Sequence, residues 1–277
     1  MEHKKYARTL RRAALLGALL LAGFRILTLK LALDENGLLP RGSLFLPLTI
    51  LLSACVFGGL WMLSARLNPL PGREDCFSDG PVWMLLRLAA AAAVFFGALL
   101  ALLNGTAELD GLGKAILWVG MASGLAMAWT GAAPRRGAGC FWLRFLPAVY
   151  TVAALIQRFR TWSHDPLVIH FAPLLLAWAC CMVEMMLLSG FSLGAGHRRS
   201  GVLFGLGVGV FACMALPDQF LGQRAALPDL LTLLGLALWC AAAAFDLLRD
   251  RVQKELPPAE PEPEAEPENK ADEAADT

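Results

Sequence analysis

A group of polar side chains that could bind a solute falls between residues 157 and 170. It holds two arginines, two histidines, one carboxylate and one glutamine, namely Gln157, Arg158, Arg160, His164, Asp165 and His170. Guanidinium and imidazolium groups bind anions, and a carboxylate binds the positive end of a zwitterion. The group therefore predicts the mouth of a cavity that binds an anionic or zwitterionic solute. The alternative is that Asp165 only caps a helix and the arginines only contact lipid phosphates.

These side chains interrupt a chain that consists mainly of long apolar runs. Of its 277 residues, 57% are hydrophobic and 17% are charged, with a mean hydropathy of +0.56. A bilayer core takes roughly 20 helical residues to cross, and lipid cannot satisfy backbone amides, so each run is expected to be a helix. The runs do not alternate as the strands of a β-barrel would. The sequence therefore predicts an all-α, polytopic membrane helix bundle.

Eight runs are long enough to span a membrane, and they define one membrane domain over residues 1–255. The first run resembles a signal peptide but lacks a small-x-small cleavage site, so we expect it to be retained. Asp165 followed by Pro166 is typical of a helix start. The predicted spans lie near 13–32, 44–64, 82–103, 112–131, 143–161, 166–189, 201–216 and 229–248.

The distribution of charge predicts an orientation. With the N-terminus in the cytosol, the inner segments hold 15 Lys and Arg residues and the outer segments hold six. This asymmetry predicts that both termini are cytosolic and that the protein is a multi-pass protein of the cell membrane. Residues 256–277 are rich in Pro, Glu and Ala and predict a disordered acidic tail. A net charge of +1 indicates no nucleic-acid partner, which leaves the lipid bilayer as the expected one.

A charge inside a predicted span is costly unless it faces a partner or water, and this applies to Arg25, Arg87, Glu184 and Asp246. Arg25 is expected near mid-membrane, either as an anion contact in an outer cavity or paired with a carboxylate of another helix. Arg87 and Glu184 both fall roughly 5–9 Å inside the cytosolic edge, which predicts a structural ion pair between them. The alternative for Glu184 is a proton or cation site. Asp246 is expected near the cytosolic edge, within reach of water.

Patterns that resemble catalytic motifs have simpler interpretations. Residues 190–194 fit Gly-x-Ser-x-Gly, but they end a predicted span instead of joining a strand to a helix. Cys180 and Cys181 point about 100° apart on a helix, which is unsuited to joint metal ligation. The glycines at 201, 205 and 209 predict a ridge for close helix packing. The sequence predicts no catalytic residue, metal site or cofactor, and hence no enzyme.

Three segments carry a resemblance to other proteins: Trp162 to Pro166, the run from Phe171 to Phe191, and the Gly-x-Gly-x-Arg-Arg sequence that ends at Arg199. In these segments the chain resembles a group of uncharacterised multi-span membrane proteins of anaerobic Gram-positive bacteria. The resemblance covers the fifth to seventh spans. It implies a helical membrane fold and a plasma-membrane location, and it implies no activity, substrate or catalytic residue.

The leading functional hypothesis is a small-solute transporter or permease-like component with an outward-facing polar cavity. In this hypothesis Arg25, Arg158, Arg160, Asp165 and His170 contact an anionic or zwitterionic solute, and the pair Arg87–Glu184 acts as an inner latch. The alternative is a non-transporting scaffold or sensor subunit that docks a cytosolic protein through its tail or basic loops.

Overall fold

The computed structural model describes residues 2–31, 43–67, 71–72, 77, 80–105, 110–132, 141–163, 172–221 and 227–248. These residues form an all-α bundle, which confirms the predicted fold class. The helices are α1 (Glu2–Leu31), α2 (Phe45–Ser64), α3 (Pro81–Gly105), α4 (Gly111–Ala132), α5 (Phe141–Trp162), α6 (Ala172–Phe191), α7 (Arg198–Leu221) and α8 (Leu227–Leu247). Two short strands form an antiparallel pair: β1 (Pro71–Gly72) lies between α2 and α3 in the chain, and β2 (Gly196–His197) lies between α6 and α7.

Seven of the eight described helices are long and apolar enough to cross a membrane, and α5 is the exception. Many of their large apolar side chains point outward, as Leu15 and Leu19 of α1 and Trp129 of α4 do. Water would disfavour so much contiguous apolar surface, whereas lipid accommodates it. The protein is therefore a multi-pass integral membrane protein.

Although α5 carries several charges, it runs the full height of the bundle. Near its start, Arg144 stacks on Phe77 and shares a small cavity with Arg87 of α3. Near its end, Arg158 pairs with Asp229 at the start of α8. These two partners lie at opposite ends of the bundle, because Arg87 also pairs with Asp246 at the end of α8. Its 22 residues rise about 33 Å, enough for an eighth crossing.

Helix α7 lies at the centre of the bundle and packs against α1, α2, α6 and α8. Helix α3 packs between α8 and α4, and α5 packs between α4 and α6. Glycines permit the closest approaches. A Cβ on Gly235 of α8 would lie 2.7 Å from the carbonyl oxygen of Ala90 on α3. On α7, a Cβ on Gly205 would lie 2.9 Å from the Cβ of Ala244 on α8, but one on Gly209 would meet nothing within 4 Å. The predicted glycine ridge is thus confirmed at 205 and not at 209.

The Gly-x-Ser-x-Gly segment closes α6. Gly194 has a positive φ of 70°, and the N–H of Ala195 donates to the carbonyl of Gly190 at 3.1 Å. A glycine in the left-handed region after the last turn, with such a backward hydrogen bond, is a common helix C-cap. The segment therefore ends a helix, as the sequence predicted.

Two helix ends extend well beyond the predicted spans. The first helix begins at Glu2, well before residue 13. The seventh continues through Pro217 to Leu221, whereas the predicted span ends at residue 216. A proline interrupts only the hydrogen bond to the carbonyl four residues earlier, and a neighbouring helix can still hold the following turn in place. Asp165–Pro166 and the acidic tail lie outside the described residues, so the predictions made for them stay predictions.

Candidate functional site

Arg25 forms a bidentate ion pair that joins α1 to α7. Its Nε donates to the two carboxylate oxygens of Asp218 at 2.9 and 3.1 Å, and its Nη2 lies 2.8 Å from Oδ1. Arg25 stands six residues before the end of α1, about 9 Å by helical rise, so it lies nearer the helix end than mid-membrane. Of its two predicted roles, the structure shows the pair with a carboxylate of another helix.

Beside this pair a cleft opens between α1, α2, α6 and α7, with a volume of about 460 Å³. Phe57, Phe211 and Met214 provide apolar walls, and Pro173 lies toward the start of α6. Polar groups are few: Arg25 and the hydroxyls of Thr28, Thr49 and Ser53. Thr49 and Ser53 are four residues apart, so they occupy one face of α2.

The second arginine of the predicted site, Arg158, lies elsewhere in the bundle. Its Nη2 donates to Asp229 of α8 at 2.7 Å, and its guanidinium stacks 4.0 Å from the ring centroid of Trp178 on α6. Arg160 is exposed on α5. Neither residue lines the cleft that Arg25 borders. His164, Asp165 and His170 lie outside the described residues. Of the predicted solute contacts that the structure describes, Arg25 alone borders the cleft.

The predicted ion pair between Arg87 and Glu184 is wrong. Arg87 of α3 instead donates a hydrogen bond to the carboxylate of Asp246 on α8, and both side chains are buried. The expectation that Asp246 reaches water is also wrong, because only 1% of this residue is exposed. The physical reason is helix order: α3 packs against α8 along its length, and α8 therefore supplies the nearest carboxylate.

Glu184 is consequently left without an arginine. It is completely buried in α6, and among the described residues neither of its carboxyl oxygens has a hydrogen-bond partner. A Cβ on Gly205 of α7 would lie 3.1 Å from Oε1, so this glycine provides the space that the carboxyl group fills. The alternative interpretation of Glu184, a proton or cation site, stays a prediction.

Sequence reasoning missed two carboxylates of the ion pairs. Asp218 follows Pro217 and fell just beyond the predicted end of the seventh span. Asp229 is the first residue of the predicted eighth span, and the sequence alone does not indicate that it pairs with Arg158. Position in the spans could have indicated these partners. Arg25 and Asp218, like Arg158 and Asp229, stand near helix ends on one side of the bundle.

The fold and these contacts define a multi-pass helical membrane protein that contains interhelical ion pairs and an apolar cleft. No protein-family model, curated protein or solved structure matches this chain. Within the described ranges, no group of three or more His, Cys, Asp or Glu side chains is placed to hold a metal ion.

Proposed function

We propose that the protein binds an elongated amphipathic solute in the cleft between α1, α2, α6 and α7, as a transporter or permease-like component of the cell membrane. The observation that carries this proposal is the cleft itself. Its volume of about 460 Å³ falls within the range of about 300–1,000 Å³ usual for small-molecule sites. Like such sites, it combines mainly apolar walls with a few polar groups.

The cleft favours an apolar chain over the small anionic or zwitterionic solute that the sequence suggested. Asp218 already offsets the charge of Arg25 through a bidentate contact, which weakens the attraction for a second anion. The walls beyond this pair are built from aromatic rings and aliphatic side chains such as Phe57, Phe211 and Leu176. A strongly hydrated solute would lose its water here without enough compensating hydrogen bonds.

The hydroxyl groups indicate what head group the solute carries. Thr28 and Thr49 each donate their proton to a helix carbonyl four residues earlier, Phe24 and Phe45, at 2.9 and 2.6 Å. With their protons so engaged, these oxygens offer lone pairs and therefore accept hydrogen bonds. The best-matched head group is a donor such as a hydroxyl, attached to a long apolar chain.

A photo-crosslinking experiment tests this proposal. The probe is a long-chain alcohol that carries a diazirine in its chain, and its methyl ether, which cannot donate, serves as the matched control probe. In nanodiscs we expect saturable labelling of α2 and α6 by the alcohol, weaker labelling by the ether, and competition by unlabelled alcohol. Labelling that does not saturate and is spread evenly over the lipid-facing surface would contradict a specific cleft.

Two variants sharpen the experiment. Ala179→Trp places a large ring in the cleft wall and should abolish saturable labelling, whereas Leu125→Trp, at an outward-facing position of α4, should leave it unchanged. Thr49→Val preserves shape but removes an acceptor, so it should reduce the preference for alcohol over ether. Equal labelling of the cleft variant and the wild-type protein would show that the probe binds elsewhere.

Transport is tested separately from binding. Vesicles with and without the protein are loaded with a fluorescent long-chain alcohol, and a membrane-impermeant reductant quenches the outer leaflet. We expect the protein to accelerate transfer between leaflets and Ala179→Trp to remove that acceleration. Saturable binding with unchanged transfer would retain the cleft as a site and reject the transporter role.

A further inference from the structure

The carboxyl group of Glu184 lies where α6, α7 and α8 meet, without exposure to solvent or lipid. Cβ atoms built on Gly201 and Gly205 of α7 would lie 3.9 and 3.1 Å from its Oε1. The one on Gly205 would also lie 2.9 Å from the carbonyl oxygen of Cys240 on α8. Two glycines thus form a cradle that holds this side chain inside the bundle.

Among the described residues, the titratable groups that act on this carboxyl carry no positive charge. On α6 its neighbours are the thiols of Cys181 and Cys180, and on α8 the thiol of Cys240, whose sulfur lies 3.9 Å from that of Cys181. From α7 the facing residues are glycines. Arg198, one turn before Gly201, directs its Nε to the carbonyl of Leu247 at 2.6 Å.

An unpaired carboxylate in such a place would be very unfavourable. Removing one ionised group from water without a partner costs several kcal/mol or more even after relaxation, whereas a neutral acid costs far less. A metal cation does not relieve this cost, since among the described residues no three His, Cys, Asp or Glu side chains are placed to hold one.

We propose that Glu184 is an intramembrane proton-binding site, which holds its proton while α6 is packed on α7 and α8 and exchanges it when these helices separate. The ligand is a hydrogen ion, and the cradle of Gly201 and Gly205 is the device that keeps cations and water away from the carboxyl group. The proposal does not depend on the solute cleft. Both involve α6, however, because the cleft is lined by Val183, which precedes Glu184 in the chain, and by Cys180, one turn earlier.

Infrared spectroscopy of the purified full-length protein at neutral pH tests this inference directly. A protonated carboxylic acid has a carbonyl stretching band apart from the carboxylate bands, and this band moves to lower wavenumber when the proton is replaced by deuterium. We expect the band in the wild-type protein, its loss in Glu184→Gln, and its slow shift in deuterated buffer. Asp229→Asn, which changes a partly exposed carboxylate, should retain the band in full.

Stability measurements give a second, independent readout. The amide of Glu184→Gln and the thioether of Glu184→Met are both neutral, so both variants should unfold at or above the wild-type melting temperature. Failure of both variants to fold would show that the charge of Glu184 is needed, which contradicts the proposal. The same infrared band in wild type and Glu184→Gln, or no such band in wild type, would likewise overturn it, and a band that never shifts in deuterated buffer would refute proton exchange.

Discussion

Asp246, one residue before the end of α8, accepts a hydrogen bond from Arg87 near the start of α3, and both side chains are buried. The contact fixes the relative height of two helices that pack along their length. Two glycines allow close contact at other levels of the same interface: Gly97 of α3 lies against Pro228 and Thr232 of α8, and Gly235 of α8 lies against Ala90 of α3. The interface between α3 and α8 thus combines small residues for proximity with one ion pair for register.

Removal of either member of this pair should destabilise the protein strongly. Arg87→Met or Asp246→Leu alone leaves a buried charge without its partner, at a cost of about 3–5 kcal/mol. The double variant should recover much of this loss, because it removes both charges. Thermal unfolding in detergent measures the cycle, and strictly additive losses would show that the two side chains do not interact.

A matched cycle distinguishes this pair from the one that the sequence suggested. Arg87→Met combined with Glu184→Gln should show no recovery, because the structure places these two side chains in separate contacts. The double variant should therefore be about as unstable as Arg87→Met alone, because Glu184→Gln by itself is expected to cause no loss. Recovery in this second cycle, with none in the first, would assign the arginine to Glu184.

Glycine-to-alanine substitutions should have different effects on stability at a close helix contact and on an open helix surface. Gly235→Ala places a Cβ 2.7 Å from the backbone oxygen of Ala90, and such overpacking should cost about 1–3 kcal/mol. Gly209→Ala meets nothing within 4 Å and should be neutral or stabilise by up to about 1 kcal/mol through lower backbone freedom. Comparison of the two melting temperatures checks both predictions. Equal gains at both positions would mean that helix propensity and not packing governs both sites.

The outer pair between Arg158 and Asp229 should contribute less than its 2.7 Å separation suggests. The side chain of Asp229 is 42% exposed, so water screens the attraction and Asp229→Asn should cost less than about 1 kcal/mol. Arg158→Ala should cost more, because it also removes the stacking on Trp178. Unfolding of both variants at low and high salt measures this difference. If Asp229→Asn proves as damaging as Arg158→Ala, the ion pair and not the stacking is the main contribution.

Length and hydropathy predicted the helices well, because lipid requires every spanning segment to satisfy its own backbone. The partners of the buried charges could not be predicted in the same way. A single sequence shows that Arg87 needs a carboxylate, but the choice between Glu184 and Asp246 depends on which helices become neighbours. The predicted seventh span ends at residue 216, so Asp218, the partner of Arg25, falls outside it, whereas α7 continues to Leu221.

The orientation of the bundle provides the last prediction. Arg11 of α1 stacks 5.3 Å from the ring centroid of Phe245 on α8, so the start of the first helix and the end of the last lie on one side. The excess of Lys and Arg on that side predicts that it faces the cytosol. Cysteines introduced at Lys114, near the start of α4, and at Arg66, just after α2, should therefore lie on opposite faces.

Labelling of intact cells with a membrane-impermeant maleimide measures this orientation against the background of the native cysteines. Lys114→Cys should be labelled in intact cells, and Arg66→Cys only after permeabilisation. The reverse pattern would invert the orientation and keep the fold. Labelling of both positions from outside would contradict the alternation of α2, α3 and α4, because an odd number of crossings separates the two sites. The second pair, Arg66→Cys and Arg199→Cys, should behave alike, since Arg199 donates to the carbonyl of Leu67 at 2.6 Å and both residues share one face.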